Sequence, residues 1–208
     1  PISKAIDNAV EEGIVAVIAA GNSGPYEQSI GSPGTARKAI TVGAVDKFDN
    51  IAYFSSRGPV VWTDLDGNTK FLIKPDVVAP GVDICAAYAH GISIWEDKKC
   101  LDDNHIAISG TSMATPHVAG AVALLLQKHP DWTPEEIKMA VKNTAVDLGF
   151  GIKEQGAGKV DILNAVKSGK PLISIINPTD LGKGIIKITG TASGANFKNY
   201  EIYFGKTE

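Results

Sequence analysis

The chain has 208 residues, enough to bury one good hydrophobic core or two small ones. It is 44% hydrophobic and 21% charged, the profile of a soluble globular protein. Its formal net charge of −3 is too small to favour nucleic acid or a membrane surface as a partner. Its apolar stretches fall short of the ~20 residues that span a bilayer.

The N-terminal residues predict one helix followed by two strands. Apolar residues recur at helical spacing over residues 2–10, and Gly13 is expected to end that helix. Apolar runs at residues 14–19 and 39–45 predict strands. Because the first run is continuously apolar between two glycines, we expect it to be a central strand of a parallel sheet, buried on both faces.

Residues 60–73 predict a β-hairpin whose turn lies at residues 66–68. The polar residues at 64–68 also faintly resemble a calcium-binding loop. The later carboxylate ligand that such a loop needs is missing, so the hairpin turn is the favoured interpretation.

The second half predicts three helices. An apolar run at residues 118–126 is too long for a typical strand and predicts a buried helix. Residues 133–136 form a capping box with proline at the first helical position, which predicts a helix to about Asn143. A glycine-rich turn at residues 156–161 precedes a further short helix.

The pattern changes after Pro171, where residues 172–176, 184–189 and 200–204 predict strands separated by turns. A β-sandwich needs about seven strands. Because only three are predicted here, we expect this all-β segment to be truncated.

Ser112 is the candidate nucleophile. It follows a turn that begins with glycine, and it lies at the N-terminal end of the predicted buried helix. A hydroxyl in the first turn of a helix is exposed to the positive end of the helix dipole and to unpaired backbone N–H groups. Both features assist an oxygen nucleophile and the anion that it creates. The alternative is that Ser112 only caps the helix.

Two strings resemble motifs of the subtilisin-like serine proteases, the subtilases. Residues 110–120 read GTSMATPHVAG, which is similar to the family's serine motif, and the resemblance implies that Ser112 is the nucleophile. Residues 19–22 read AAGN and follow an apolar strand. The matching asparagine of the family donates its side-chain N–H to the oxyanion, so the resemblance implies this catalytic role for Asn22.

The resemblance extends over about residues 1–168 and implies a fold and a substrate pocket. The fold would be a partial subtilisin-like α/β fold, with a parallel sheet flanked by helices, followed by the truncated all-β segment. Ala20, Gly21 and Gly31 would line the pocket for the side chain that precedes the cleaved bond. Gly31 would leave that pocket open to large apolar groups.

The aspartate and histidine motifs of subtilases have no match in this chain. No aspartate is followed by serine or threonine and then by glycine, and His90-Gly91 is followed by isoleucine. His117 lies five residues after Ser112 and is interpreted as a packed, hydrogen-bonded residue of the same helix. We therefore expect the chain to be a fragment that lacks the triad aspartate and histidine.

Two units are expected in this fragment. Residues 1–169 would be the C-terminal part of a subtilase catalytic domain, and residues 170–208 the start of a β-sandwich-like accessory domain. The intact parent would be a serine endopeptidase, whereas this chain alone would be inactive. Its expected partners are a protein or peptide substrate and the missing N-terminal part of the catalytic domain, with self-association of the fragment as a further outcome.

Two other classes of function stay open. One is a catalytically inactive subtilase-like binding module, against which an intact Ser112 and Asn22 both count. The other is a serine esterase or amidase. The Gly-x-Ser-x-Gly pattern of those enzymes is not met, because Ala114 stands where the second glycine is required.

Cys85 and Cys100 flank a segment that fits the family poorly. They are interpreted either as a disulfide that closes a surface insertion of a secreted protein or as two free thiols, with Cys85 buried. The resemblance implies an extracellular or cell-surface location. It implies no cofactor for the chemistry; structural calcium is common in the family, but no ligand residue is assigned here.

Overall fold

The computed structural model describes residues 1–63, 69–89, 98–171, 173–178 and 188–193. The helices are α1 (Ile2–Glu11), α2 (Thr111–Lys128), α3 (Pro134–Asn143), α4 (Ile152–Gln155) and α5 (Ile162–Lys167). The strands are β1 (Val17–Ala19), β2 (Ile40–Val45), β3 (Val60–Thr63), β4 (Thr69–Leu72), β5 (Val77–Pro80), β6 (Ile84–Ala87), β7 (His105–Ile108), β8 (Ile173–Pro178) and β9 (Ile188–Ser193).

A three-stranded parallel sheet in the order β1-β2-β5 forms the centre of the fold. Val17 pairs with Ile40, and Val42 pairs with Val77. Helix α2 packs across all three strands. Helices packed on a parallel sheet make this an α/β arrangement, as the sequence predicts.

The buried central strand is β2, not β1. Every residue of β2 is buried, whereas all three residues of β1 are only half-buried. Within the described residues β1 is hydrogen-bonded to β2 alone and forms an edge of the sheet. The prediction that residues 14–19 form a central strand buried on both faces is therefore wrong for this chain.

The hydrophobic core lies between α2 and the sheet. Val118, Val122 and Leu125 of α2 pack in one cluster with apolar residues of β2 and β5 and with Ile137 and Val141 of α3. Fully burying one such side chain stabilises the fold by about 1.5–3 kcal/mol. This cluster holds the first turn of α2 against the carboxyl end of the sheet.

The opposite side of α2 is open to solvent. Ala119, Gly120, Ala123 and Leu124 are exposed, and Leu124 keeps 49% of its surface accessible. The sequence predicts a buried helix, but the described residues cover only the face that meets the sheet. We call these four residues the open face of α2.

Two antiparallel hairpins flank the sheet. Strands β3 and β4 form the hairpin predicted at residues 60–73, although its turn and the weak calcium-loop pattern lie outside the described residues. Strands β6 and β7 form the second hairpin. A disulfide joins Cys85 of β6 to Cys100 in the segment that leads to β7, so the free-thiol interpretation is wrong, and Cys85 is exposed rather than buried.

Local sequence signals set several element ends. Gly13 follows α1 with a φ of 94°, a left-handed conformation that glycine adopts without strain. Thr133 and Glu136 form the predicted capping box of α3. Helix α4, by contrast, spans only four residues and carries no periodic signal that predicts it.

Beyond residue 171, β8 and β9 pair as an antiparallel ladder. They match the first predicted strand and the end of the second, while the third predicted strand, at residues 200–204, lies outside the described residues. The division at residue 169 into a catalytic part and an accessory β domain stays a prediction.

Candidate active site

Ser112 is the second residue of α2, and its side chain is exposed. The N-cap position is held by Gly110, so the interpretation of Ser112 as a mere helix cap is wrong. The serine lies instead inside the first turn, where backbone N–H groups lack helical partners and the helix dipole is positive. This position favours negative charge beside the hydroxyl.

Asn22 reaches the same helix end from the turn that follows β1. Its Oδ1 accepts hydrogen bonds from the backbone N–H and the Oγ1 hydroxyl of Thr111, both at 2.9 Å. With Oδ1 held by Thr111, the Nδ2 amide group is directed elsewhere. The structure thus brings Asn22 into contact with Thr111, the residue before Ser112, although 89 positions separate the two in the sequence.

The amide of Asn22 and the backbone of Ser112 face a common space beside Gly110. A Cβ atom on Gly110 would lie 3.2 Å from Asn22 Nδ2 and 3.7 Å from the backbone N of Ser112. Two nitrogens that carry N–H groups, one of a side chain and one of the backbone, therefore lie within 4 Å of one point beside Gly110. A pair of fixed donors of this kind can stabilise an oxyanion.

Thr111 is a site residue that sequence reasoning missed. It is 1% exposed, and besides holding Asn22 its Oγ1 accepts a hydrogen bond from the backbone N–H of Gly21 at 3.1 Å. Its only sequence signal was its place next to Ser112 in the serine motif. Through both contacts it joins the end of β1 to the start of α2.

Ala20, Gly21 and Gly31 lie in the wall of one cavity of about 400 Å³. The wall also includes residues 17–19 of β1 and the polar residues Ser23 and Ser29. A Cβ added at Gly31 would meet no atom within 4 Å, so this side of the cavity is open. All three predicted pocket residues lie in this one wall, and Ala20 and Gly21 directly precede Asn22 in the chain.

None of the histidines in the described part of the chain hydrogen-bonds Ser112. His105 bonds Asp102 at 2.7 Å, and His129 stacks on Trp132 with ring centroids 3.8 Å apart. His117 bonds the backbone carbonyl of Met113 at 2.9 Å through Nδ1, as predicted, but it is exposed rather than packed. It lies at the border of the open face of α2, which explains its exposure. His90 lies outside the described residues.

Across the ranges that the structure describes, no group of three or more histidine, cysteine, aspartate or glutamate side chains is placed to hold a metal ion. In the same ranges, no helix is both long enough and apolar enough to cross a bilayer.

A family model described as the subtilase family, Peptidase S8, matches residues 1–163. The chain belongs to the subtilase family. Serine protease AprX of Bacillus subtilis (strain 168) is 44% identical over 152 residues, which cover 69% of this chain and 33% of AprX. Subtilisin BL of Lederbergia lenta is 36% identical over 148 residues, which cover 71% of this chain and 45% of that protein.

Solved subtilase structures share the fold. Fervidolysin from Fervidobacterium pennivorans, a keratinolytic enzyme related to subtilisin, matches with a TM-score of 0.60 and 31% identity over 81% of this chain and 25% of its own. A Pseudoalteromonas arctica protease structure matches with a TM-score of 0.61 and 31% identity over 79% of this chain and 45% of its own. The chain has a partial subtilisin-like α/β fold and spans less than half of each of these relatives.

Proposed function

We propose that this chain supplies the nucleophile and the oxyanion site of a serine endopeptidase. The observation that carries the proposal is the convergence of Asn22 Nδ2 and the Ser112 backbone N on one space beside Gly110. Its support from outside the chain is that the relatives named above include serine proteases of the same family.

In the proposed reaction, Ser112 Oγ attacks the carbonyl carbon of a peptide bond while a histidine takes its proton. The carbonyl oxygen becomes an oxyanion that accepts hydrogen bonds from Asn22 Nδ2 and from the backbone N–H of Ser112. The C–N bond then breaks, and the histidine returns the proton to the leaving amine. Water hydrolyses the resulting acyl-enzyme by the same steps, which releases the acid product and restores Ser112.

We propose that the cavity next to Asn22 receives the substrate side chain that precedes the cleaved bond. Its wall is formed by β1 and by glycine and small polar residues, including Ala20, Gly21 and Gly31. No large side chain projects from the position of Gly31, so the cavity suits a bulky apolar group.

The aspartate and histidine of the triad would come from sequence outside this chain. This is supported by the lack of their motifs in the sequence and by the limited share of each relative that the chain covers. The partner of this chain would then be the N-terminal part of the same catalytic domain. An extracellular or cell-surface location is supported by the Cys85–Cys100 disulfide, because such bonds persist in oxidising compartments.

The decisive experiment compares the whole protein that contains this chain with its variants. We expect Ser112→Ala to abolish both casein hydrolysis and labelling by a fluorophosphonate probe. Asn22→Ala should lower kcat by about 10²–10³ with little change in KM, because the oxyanion exists only in the transition state. The 208-residue chain alone should show neither activity nor labelling.

Three results would contradict the proposal. Wild-type turnover by the Asn22→Ala enzyme would refute the oxyanion role of that residue. Turnover by the isolated chain that disappears in Ser112→Ala would show that its own residues supply a base. A whole protein that binds peptides but neither labels nor cleaves them would be an inactive binding module instead.

A further inference from the structure

We propose that Ser56 is a positioning residue, whose side chain holds the turn that presents Asn22 to the oxyanion. The inference rests on the proposed function of Asn22. It concerns a serine that is 0% exposed and 34 residues away from Asn22 in the sequence, so it cannot itself contact substrate.

Ser56 makes two hydrogen bonds to the turn that carries Asn22, one to the residue before the asparagine and one to the residue after it. Before it, the carbonyl of Gly21 accepts a hydrogen bond from the backbone N–H of Ser56 at 2.9 Å. After it, the backbone N–H of Ser23 donates to Ser56 Oγ at 3.0 Å. A single residue thus fixes the two peptide units that flank Asn22.

Close packing at Gly21 makes this contact specific. Gly21 has a φ of +107°, and a Cβ atom added to it would lie 3.0 Å from Ser56 Oγ. The positive φ strongly favours glycine, and a larger residue at position 21 would press against the Ser56 hydroxyl. The Ser56 hydroxyl therefore lies directly beneath the turn, with no side chain between them.

The two ends of Asn22 are held by different partners. Thr111 holds its side-chain oxygen, whereas Ser56 holds the backbone on which that side chain is mounted. An oxyanion donor contributes fully only when its N–H is already aimed at the developing charge. Without the Ser56 hydroxyl, the Ser23 N–H loses its partner and the turn can reorient, even with Thr111 intact.

Ser55 offers a matched control beside Ser56. It is also 0% exposed, and its Oγ likewise accepts a backbone N–H, that of Ala44 at 3.0 Å. Ala44 lies in β2 rather than in the turn of Asn22. Replacing either serine by alanine removes one buried hydroxyl, but only the hydroxyl of Ser56 is hydrogen-bonded to the turn.

The first test uses the chain itself and does not depend on peptidase activity. By NMR, Ser56→Ala should accelerate hydrogen exchange of the Ser23 backbone amide about tenfold or more and shift the side-chain amide signals of Asn22. Ser55→Ala should leave both unchanged. Unaltered Asn22 amide signals in Ser56→Ala would overturn the proposal. If Ser56→Ala does not fold, Ser56→Cys, a weaker acceptor of similar size, should move the same signals in the same direction.

The second test measures kinetics in the whole enzyme. We expect Ser56→Ala to lower kcat about tenfold with KM nearly unchanged, and Ser55→Ala to leave kcat unchanged. In an Asn22→Ala background, Ser56→Ala should cause no further loss of kcat, because its effect passes through Asn22. An equal loss in both backgrounds would show a general structural role. A wild-type kcat for Asn22→Ala would instead reject the proposed oxyanion role and leave the NMR result to decide the role of Ser56 in the turn.

Discussion

Asp76 is a carboxylate buried among three lysines. Its Oδ2 accepts a hydrogen bond from the backbone N–H of Thr41 at 2.8 Å, and its ion-pair partners are Lys74, Lys138 and Lys142. Burial by itself raises the pKa of Asp76, but the three ammonium groups outweigh burial and hold this pKa well below its ordinary 3.8. The charged carboxylate therefore strengthens the connection between β2 and the residue that precedes β5, which a backbone hydrogen bond from Asp76 to Thr41 also makes.

The first prediction concerns acid stability. Because the folded-state pKa of Asp76 lies below the unfolded-state value, its stabilisation is present above about pH 4 and is lost as pH falls further. Asp76→Asn should lower the free energy of unfolding by about 3–5 kcal/mol at pH 7, since it leaves the buried Lys74 side chain and the partly buried Lys138 side chain without their counter-charge. It should also reduce the pH dependence below about pH 4. Urea unfolding across pH 2 to 7 measures both.

A suitable control is Asp49→Asn, which removes a partly exposed carboxylate 2.6 Å from Lys159 Nζ. Ion pairs at such sites contribute about 0–1 kcal/mol. The same steep loss below pH 4 in wild type and in Asp76→Asn would locate the acid-sensitive group elsewhere.

At the scale of single elements, helix α3 depends on its N-terminal box. Thr133 Oγ1 accepts the backbone N–H of Glu136 at 3.3 Å, and the Glu136 carboxylate accepts the backbone N–H of Thr133 at 2.8 Å. Proline occupies the first turn, where its missing N–H costs nothing. The box fixes where α3 begins and thus which of its residues face the core.

The second prediction is that Thr133→Ala lowers the free energy of unfolding by about 1 kcal/mol. The substitution removes the side-chain oxygen that accepts the backbone N–H of Glu136 and so breaks the capping box. Thr144→Ala, at the other end of the helix, is the matched control. Its Oγ1 donates to the carbonyl of Ala140 at 2.8 Å, a type of bond that adds little to helix stability. Equal losses in thermal unfolding would argue against a capping contribution.

On the scale of the whole molecule, two features leave apolar surface and backbone groups unpartnered. The open face of α2 exposes small apolar residues together with Leu124. In the described part of the sheet, β1 has a neighbour on one side only. An exposed apolar face and an open strand edge both recruit other protein surfaces.

The third prediction is that the isolated chain self-associates at micromolar concentration. Leu124→Glu should shift sedimentation velocity profiles towards the monomer, because it places a charge on the open face of α2. Leu163→Glu changes an equally apolar residue that is 62% exposed on α5, and it should leave the profiles unchanged. A wild-type monomer that melts cooperatively would show that the chain buries its own core.

Signals that are local in sequence predicted the fold well. Each such signal depends only on neighbours a few residues away. Examples are the helical spacing of residues 2–10, the capping box at 133–136 and the apolar runs that became β1 and β2. Asn22 and Ser112 were found because each lies in a short motif of its own. Their proximity follows from a parallel sheet, in which strand ends and helix starts meet at one edge.

Contacts between distant segments could not be predicted in this way. Thr111 and Ser56 act on the turn of Asn22 across 89 and 33 residues, and neither carries a sequence signal for that contact. The edge position of β1 likewise depends on which strands lie beside it rather than on its composition. The pairing of Cys85 with Cys100 required their positions in space.

The disulfide also closes one segment of this chain into a covalent loop. Cys85 and Cys100 hold their Cα atoms 6.0 Å apart, however many residues connect them, and β7 then leads through Gly110 into the serine helix. Besides its hydrogen-bonded ladder with β7, β6 is thus tied covalently to the segment that leads into β7. We therefore expect an epitope or affinity tag inserted between Ala87 and Cys100 to leave the nucleophile in its place.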